Sequence, residues 1–234
     1  MRHIGFTLLL LISVCELYGQ QDSTILQKLS FTGDFRFRVE QDWDSRKSDG
    51  TYREDRSRLR YRLRFGLNYK HNDWATFGMR LRTGQIQNQQ DPQITLGTGA
   101  KEFSTVPFGL EKLFFRASYE WFSGWVGKNT YPFEKQNELF WSDNVYPEGV
   151  FLSARLSSIK LNLGHFIVGS EGRGFNKDRY FQGFQVLIPT WADRLKLFPS
   201  FYYFNKMPNI PDGNDTYRLN YSIFHFGTTI KLVE

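Results

Sequence analysis

The chain has a single cysteine, Cys15, in 234 residues, with only 3 methionines and 4 histidines. One thiol cannot form an internal disulfide or a thiolate-built metal centre. Long apolar runs are equally scarce. The one such run, Ile4 to Val14, is too short for a spanning helix, which needs roughly 20 apolar residues. Met1 and Arg2 precede it, and Gly19, Gln20 and Gln21 follow. A charged start, a short apolar middle and a small-residue exit make an export signal. Residues 1–19 are therefore read as a signal peptide and residues 20–234 as one exported domain. Cleavage is expected near Gly19, although Leu17 is a mediocre residue two positions upstream. Cys15 could suggest a lipidation site, but Val14 is bulky where that site wants a small residue. If Cys15 leaves with the signal, no thiol remains.

Mean hydropathy is −0.48, a value that looks soluble. A transmembrane β-strand, however, shows lipid only every second residue, so its average hydropathy stays low. The chain is rich in two groups that seldom coexist: 18% of residues are aromatic and 23% charged. A wall between two incompatible solvents uses both. The net charge of +6 would also suit nucleic acid, but export and patterning argue against that partner.

Patterning is clearest in RSRLRYRLRFGLNYK, residues 56–70. Even positions carry Arg58, Arg60, Arg62, Arg64, Asn68 and Lys70; odd positions carry Leu59, Tyr61, Leu63, Phe65, Leu67 and Tyr69. Successive strand side chains point to opposite faces, so one face is a guanidinium ladder and the other apolar. A helix would scatter the arginines and bury some of them, at a cost. The same alternation marks about ten strands: Leu29–Glu40, 56–70, Trp74–Thr83, Leu113–Trp121, Trp125–Lys128, Val150–Leu156, Ile159–Val168, Tyr180–Ile188, Arg194–Phe204 and Tyr217–Leu232. Connections alternate between long and short. Tyr69, Trp74, Trp121, Trp125 and Trp191 flank the short ones, as an interfacial girdle would. These features predict an all-β fold, a transmembrane antiparallel up-and-down β-barrel. The rival is a secreted β-sandwich, whose strands are shorter and whose polar faces collect less arginine.

Pairing the first two strands places Glu40 near Arg58 and Asp34 near Arg64, with Arg36 and Arg38 facing Arg62 and Arg60. The next turn brings Arg80 and Arg82 toward Arg64 and Arg62. Asp34, Glu40 and Glu120 are too few to neutralise these cations, which stand roughly 7 Å apart along a strand. Arg36, Arg38, Arg58, Arg60, Arg62, Arg64, Arg80, Arg82 and Arg116 are therefore the expected pore lining. Two readings stay open: the cations concentrate anions, or they balance acidic loops elsewhere. The loop from Thr130 to Glu148, with Phe133, Glu134, Glu138 and Trp141, is a candidate constriction; resting outside is the alternative.

Catalytic and metal motifs are faint. His165 with Glu171, or His225 with Ser222, could serve a barrel hydrolase or acyltransferase, but solvated or girdle histidines fit better. Asp42-Trp43-Asp44 and Asp212-Gly213-Asn214-Asp215 lack the full spacing of a calcium loop. Gly97-Thr98-Gly99 follows no buried strand and opens no helix. No enzyme, cofactor or metal is expected.

The segment Phe31 to Glu40, RSRLRYRLRFGLNY and Gly78-Met-Arg-Leu-Arg-Thr-Gly84 resemble the putative porin family of Gram-negative outer membranes. So do Val126-Gly127-Lys128, Pro132-Phe133, Trp141-Ser-Asp143 and Pro147-Glu148-Gly149. The similarity covers roughly Leu29 to Leu156 and rests on the order of short motifs. More loosely, the chain is similar to alginate-export and phosphate-selective barrels. The resemblance implies a passive outer-membrane diffusion channel, usually with more strands. Its expected partners are outer-membrane lipid and small hydrophilic or anionic solutes, with a homo-oligomer open. A non-conducting structural or adhesive barrel is a further alternative. Barrels of this kind usually end on an aromatic residue, whereas this chain ends Ile230-Lys-Leu-Val-Glu234. Ten strands would leave little open bore. The expectation is therefore the N-terminal part of a larger barrel, or else a small plugged one.

Overall fold

A computed structural model of the protein describes residues 23–97, 105–170, 178–191, 194–208 and 218–232. Residues 1–22, which include the expected export signal and Cys15, together with Thr98, Gly99, Glu171, Asp212 to Asp215 and Glu234 lie outside the described residues. A short helix, α1 (Ser23–Gln27), precedes the strands. These are β1 (Leu29–Asp42), β2 (Arg56–Lys70), β3 (Ala75–Thr83), β4 (Ile94–Thr95), β5 (Phe108–Tyr119), β6 (Phe122–Lys128), β7 (Glu148–Leu156), β8 (Ile159–Gly169), β9 (Arg179–Thr190), β10 (Leu195–Pro208) and β11 (Arg218–Ile230).

All eleven belong to one antiparallel sheet in which chain neighbours are sheet neighbours; only β4 leaves the path, to pair with β2. The expected up-and-down topology is borne out, and a two-sheet sandwich is excluded. The sheet is not closed: β1 and β11 are not paired with each other.

Short turns join β2 to β3, β5 to β6, β7 to β8 and β9 to β10, while longer stretches leave the opposite end. Asn72 shapes the first turn, its side-chain oxygen accepting from the backbone N–H of Trp74 (3.2 Å) and Ala75 (2.8 Å). Trp74, Trp121 and Trp191 are more than half exposed beside these turns, as a girdle requires. Trp125 departs from that expectation. It is 7% exposed on the opposite face, stacked on Phe151 and Phe166.

The face carrying Phe35, Phe37, Leu63, Phe65, Phe77 and Leu113 is exposed and apolar. The other, called the inner face below, is not the uniformly polar wall that the arginine strand suggested. From β1 to β5 it carries the arginines. From β6 to β10 it is aromatic: Phe166, Phe181 and Tyr202 are at most 2% exposed. Their seclusion comes from the stretch between β6 and β7, which folds onto them.

Candidate functional site

The basic half of the inner face rests on the β1–β2 register. Glu40 opposes Arg58, Asp34 opposes Arg64, Arg36 opposes Arg62 and Arg38 opposes Arg60, as the alternation predicted. On the next pair Arg82 faces Arg64, but Arg80 faces Gly66 rather than an arginine. The turn at 71–74 shifts this register by two residues from the expected one.

Carboxylates are more plentiful here than expected. Asp34 accepts from Arg62 (2.5 Å), Glu40 pairs with Arg38 (2.8 Å) and Arg58 (2.9 Å), and Asp42 pairs with Arg56 (2.6 Å) and Arg58 (3.1 Å). Arg60 Nη2 donates to both oxygens of Asp91 (2.8 and 3.0 Å), tying down the stretch after β3. Glu120 takes no part: it lies in the β5–β6 turn with φ of +36°.

The centre of this half is Glu111, with 1% of its side chain exposed. Arg64 reaches one oxygen at 2.8 Å, Arg80 the other at 2.5 Å, and Arg82 stands 4.0 Å away. Strict alternation would send Glu111 outward with Leu113. A β-bulge turns it in, because Arg80 pairs with Lys112 while Leu81 pairs with Leu110, leaving Glu111 extra. The hint lay in the apolar pair Leu110 and Leu113, which can share a face only if one residue between them is unpaired.

Not every arginine faces open space. Arg82, 3% exposed, donates to the carbonyls of Thr83 (3.0 Å), Gln85 (3.0 Å), Asn88 (2.7 Å) and Asp91 (3.4 Å). It anchors a loop rather than lining a path, and Arg62 is 6% exposed. Lysine has a single ammonium and no planar fork, so it cannot satisfy four separated carbonyls. Arg82→Lys is expected to speed proteolysis and hydrogen exchange in residues 84–92, leaving β6–β10 unchanged. Arg36 and Arg116 lie on the same face and make no ion pair with a described residue; Arg116 sits 5.4 Å from the Phe114 ring.

The second component is the stretch from Asn129 to Pro147, which lies against the inner face. Irregular segments of this length are usually functional. Phe133 is 4% exposed and fills a gap in a row of aromatic residues. In that row Trp125 pairs with Phe151, Phe151 with Gly164, Gly164 with Gly183, and Gly183 with Tyr202. A Cβ on either glycine would overlap the Phe133 ring. The two glycines thus open the slot that the ring occupies. Burying a phenylalanine this fully is worth about 1.5–3 kcal/mol.

Gln185, fully buried, fixes the next residue. Its side-chain oxygen accepts from the Glu134 N–H (2.8 Å) and its amide donates to the Glu134 carbonyl (2.9 Å). The Glu134 carboxylate meets Lys196 at 2.6 Å. Trp141 stacks on Tyr131 (4.9 Å) and Phe181 (5.1 Å), and burial pushes the Tyr131 hydroxyl above its ordinary range, keeping it neutral. Glu138 stays exposed, accepting from the Asp143 N–H. At its far end the stretch reaches the basic half: Asn144 accepts from Arg64 (2.8 Å), and Tyr146 lies under Arg80 (5.0 Å) and Lys112 (5.2 Å). Sequence reasoning named Phe133, Glu134, Glu138 and Trp141 but missed Glu111, Gln185, Gly164 and Gly183.

His225 and Ser222 do not come together, and Glu171, the suggested partner of His165, lies outside the described residues. His165 lies on the outer face, with Gln182 at 2.9 Å. His225 is on the inner face near Phe198, three residues along β11 from Ser222, which strand alternation puts on the other face. Asp42 is held by Arg56 and Arg58.

No curated protein matches the chain. The family described as putative porin matches residues 49–217, more than two thirds of the sequence. That match takes in the arginine strand, the Glu111 bulge and the inward-folded stretch. On this match, and with an antiparallel sheet of barrel type, the chain belongs to the putative porin family.

Proposed function

We propose that this chain forms a passive outer-membrane diffusion channel of a Gram-negative bacterium, passing small hydrophilic solutes and preferring anions. Membership of a porin family supports a porin-like channel over an enzyme, and family and fold together suggest an outer-membrane protein. Residues 1–19 serve as the export signal, and outer-membrane lipid covers the apolar face.

The anion preference rests on one observation. Of the nine arginines expected to line the path, Arg82 anchors a loop; the others, joined by Arg56 and Lys112, are answered by five carboxylates: Asp34, Glu40, Asp42, Asp91 and Glu111. A surplus of fixed positive charge in a confined aqueous path raises the local anion concentration. The stretch from Asn129 to Pro147 narrows that path, with Phe133 and Trp141 on the wall and Asn144 and Tyr146 against the arginines.

Reversal potentials across a salt gradient in planar bilayers test this reading. The wild type is expected to be anion-selective, and a cation-selective or unselective channel would sink the reading. Arg60 and Arg62 are poor probes, since reversing them also frees Asp91 and Asp34. Arg36, exposed and without an ion pair among the described residues, is a better one. Arg36→Glu is expected to lower the anion-to-cation permeability ratio by about twofold, an energy of order RT.

A further inference from the structure

Most cations of the basic half already have partners. Beneath the start of the inward-folded stretch is a recess of about 300 Å³ whose lining includes Arg116 and Lys160 and no carboxylate. That volume is at the lower limit for small-molecule sites, roughly 300–1,000 Å³. Neither cation makes an ion pair with a described residue. A third, Lys112, adjoins the recess by donating to Thr130 Oγ1 at 2.5 Å, which leaves the Thr130 hydroxyl proton free to donate.

Beside Gly124, Asn129, Pro132 and Phe151, the lining offers hydroxyls and aromatic rings. Ser118 and Ser123, cross-strand partners on β5 and β6, supply hydroxyls alongside Thr130. Trp125 and Tyr131 supply ring surface. An inorganic anion would use the cations and have no need of the rings, whereas a neutral sugar would use rings and hydroxyls and leave two cations unanswered. A pyranose bearing one acidic group uses all three. Its C–H face lies on an aromatic ring, its hydroxyls exchange hydrogen bonds with Ser118, Ser123 and Thr130, and its carboxylate or phosphate meets Arg116 and Lys160.

We infer that this recess is a subsite for a monosaccharide carrying a single carboxylate or phosphate, beside the path that the anion-preferring reading assumes. The inference rests on that reading for its route of access, but binding can be measured separately.

Glucuronate and glucose 6-phosphate are added to the wild-type protein reconstituted in planar bilayers, with glucose and acetate as controls. Saturable block is expected from one or both acidic sugars, and which one blocks identifies the acid group. Both controls should be at least about tenfold weaker. Arg116→Gln with Lys160→Gln should raise the half-blocking concentration about tenfold. Equal block by acetate would overturn the subsite, as would block unchanged in the double variant. Tryptophan fluorescence in detergent provides a readout that needs no conduction. Glucuronate or glucose 6-phosphate should quench it saturably, and quenching that survives Trp125→Phe would place the sugar elsewhere. Reversal potentials on the same membranes separate the two ideas. Selective conduction without saturable binding sinks the subsite alone, while saturable binding without selectivity sinks only the anion preference.

Discussion

Glu111→Gln is expected to destabilise the folded protein by about 3 kcal/mol, a typical loss when one partner of a buried ion pair is removed. Glutamine keeps the shape of the side chain but not its charge, and three guanidinium groups then share the space within 4.0 Å of a neutral amide. Arg64 loses a charge-assisted hydrogen bond, roughly twice as strong as a neutral one, and Arg80 loses its ion-pair partner. The midpoint of urea unfolding in detergent, followed by the heat-dependent gel shift of folded barrels, reads the effect. Adding Arg80→Gln should recover part of the loss, because the double variant removes one of the groups left opposed. If Glu111→Gln unfolds at the wild-type midpoint, Glu111 does not hold this half together. Asp42→Asn is the useful contrast. Its carboxylate is more exposed, and the pairs it makes are of the kind that contribute little.

The second large effect concerns the slot. Gly183→Leu places a branched side chain where the Phe133 ring lies, and both cannot fit. The strand is held by cross-strand hydrogen bonds on both sides, so the loop gives way. Phe133 leaves, and Glu134 is drawn from Gln185. Losing the buried ring removes about 3 kcal/mol or more from the loop's attachment, by analogy with phenylalanine-to-alanine changes in cores. Two readouts should change together: trypsin should cut after Lys135 much faster, and single-channel conductance should rise severalfold. Phe133→Ala is the milder companion, since it empties the slot but leaves the Gln185 clamp intact. Unchanged conductance with faster proteolysis would show that the stretch is held by the slot but does not narrow the path.

Much of the fold was legible because alternation is a local property. A residue's face follows from its parity, so the strands, the short turns and the β1–β2 register could be read without distant contacts. Legibility stopped wherever parity was broken. The bulge at Glu111 reverses every assignment on one side of it, and the chain signals this only through the spacing of Leu110 and Leu113. Trp125 was read as interfacial because it follows a turn, yet it faces inward by the parity of β6. The supposed shortage of carboxylates had a related origin. Glu111 lies before the strand Leu113–Trp121 that alternation marks out, and Asp91 lies in a segment whose path depends on Arg82.

The order of residues alone decides that each strand has an apolar and a polar edge, since parity needs no partner to specify them. Which arginines are spoken for, and where the stretch from Asn129 to Pro147 rests, was decided only in three dimensions. Both depend on side chains from strands far apart in the chain meeting at one point: Gln185 with Glu134, Phe133 with Gly164 and Gly183, and Glu111 with Arg64 and Arg80.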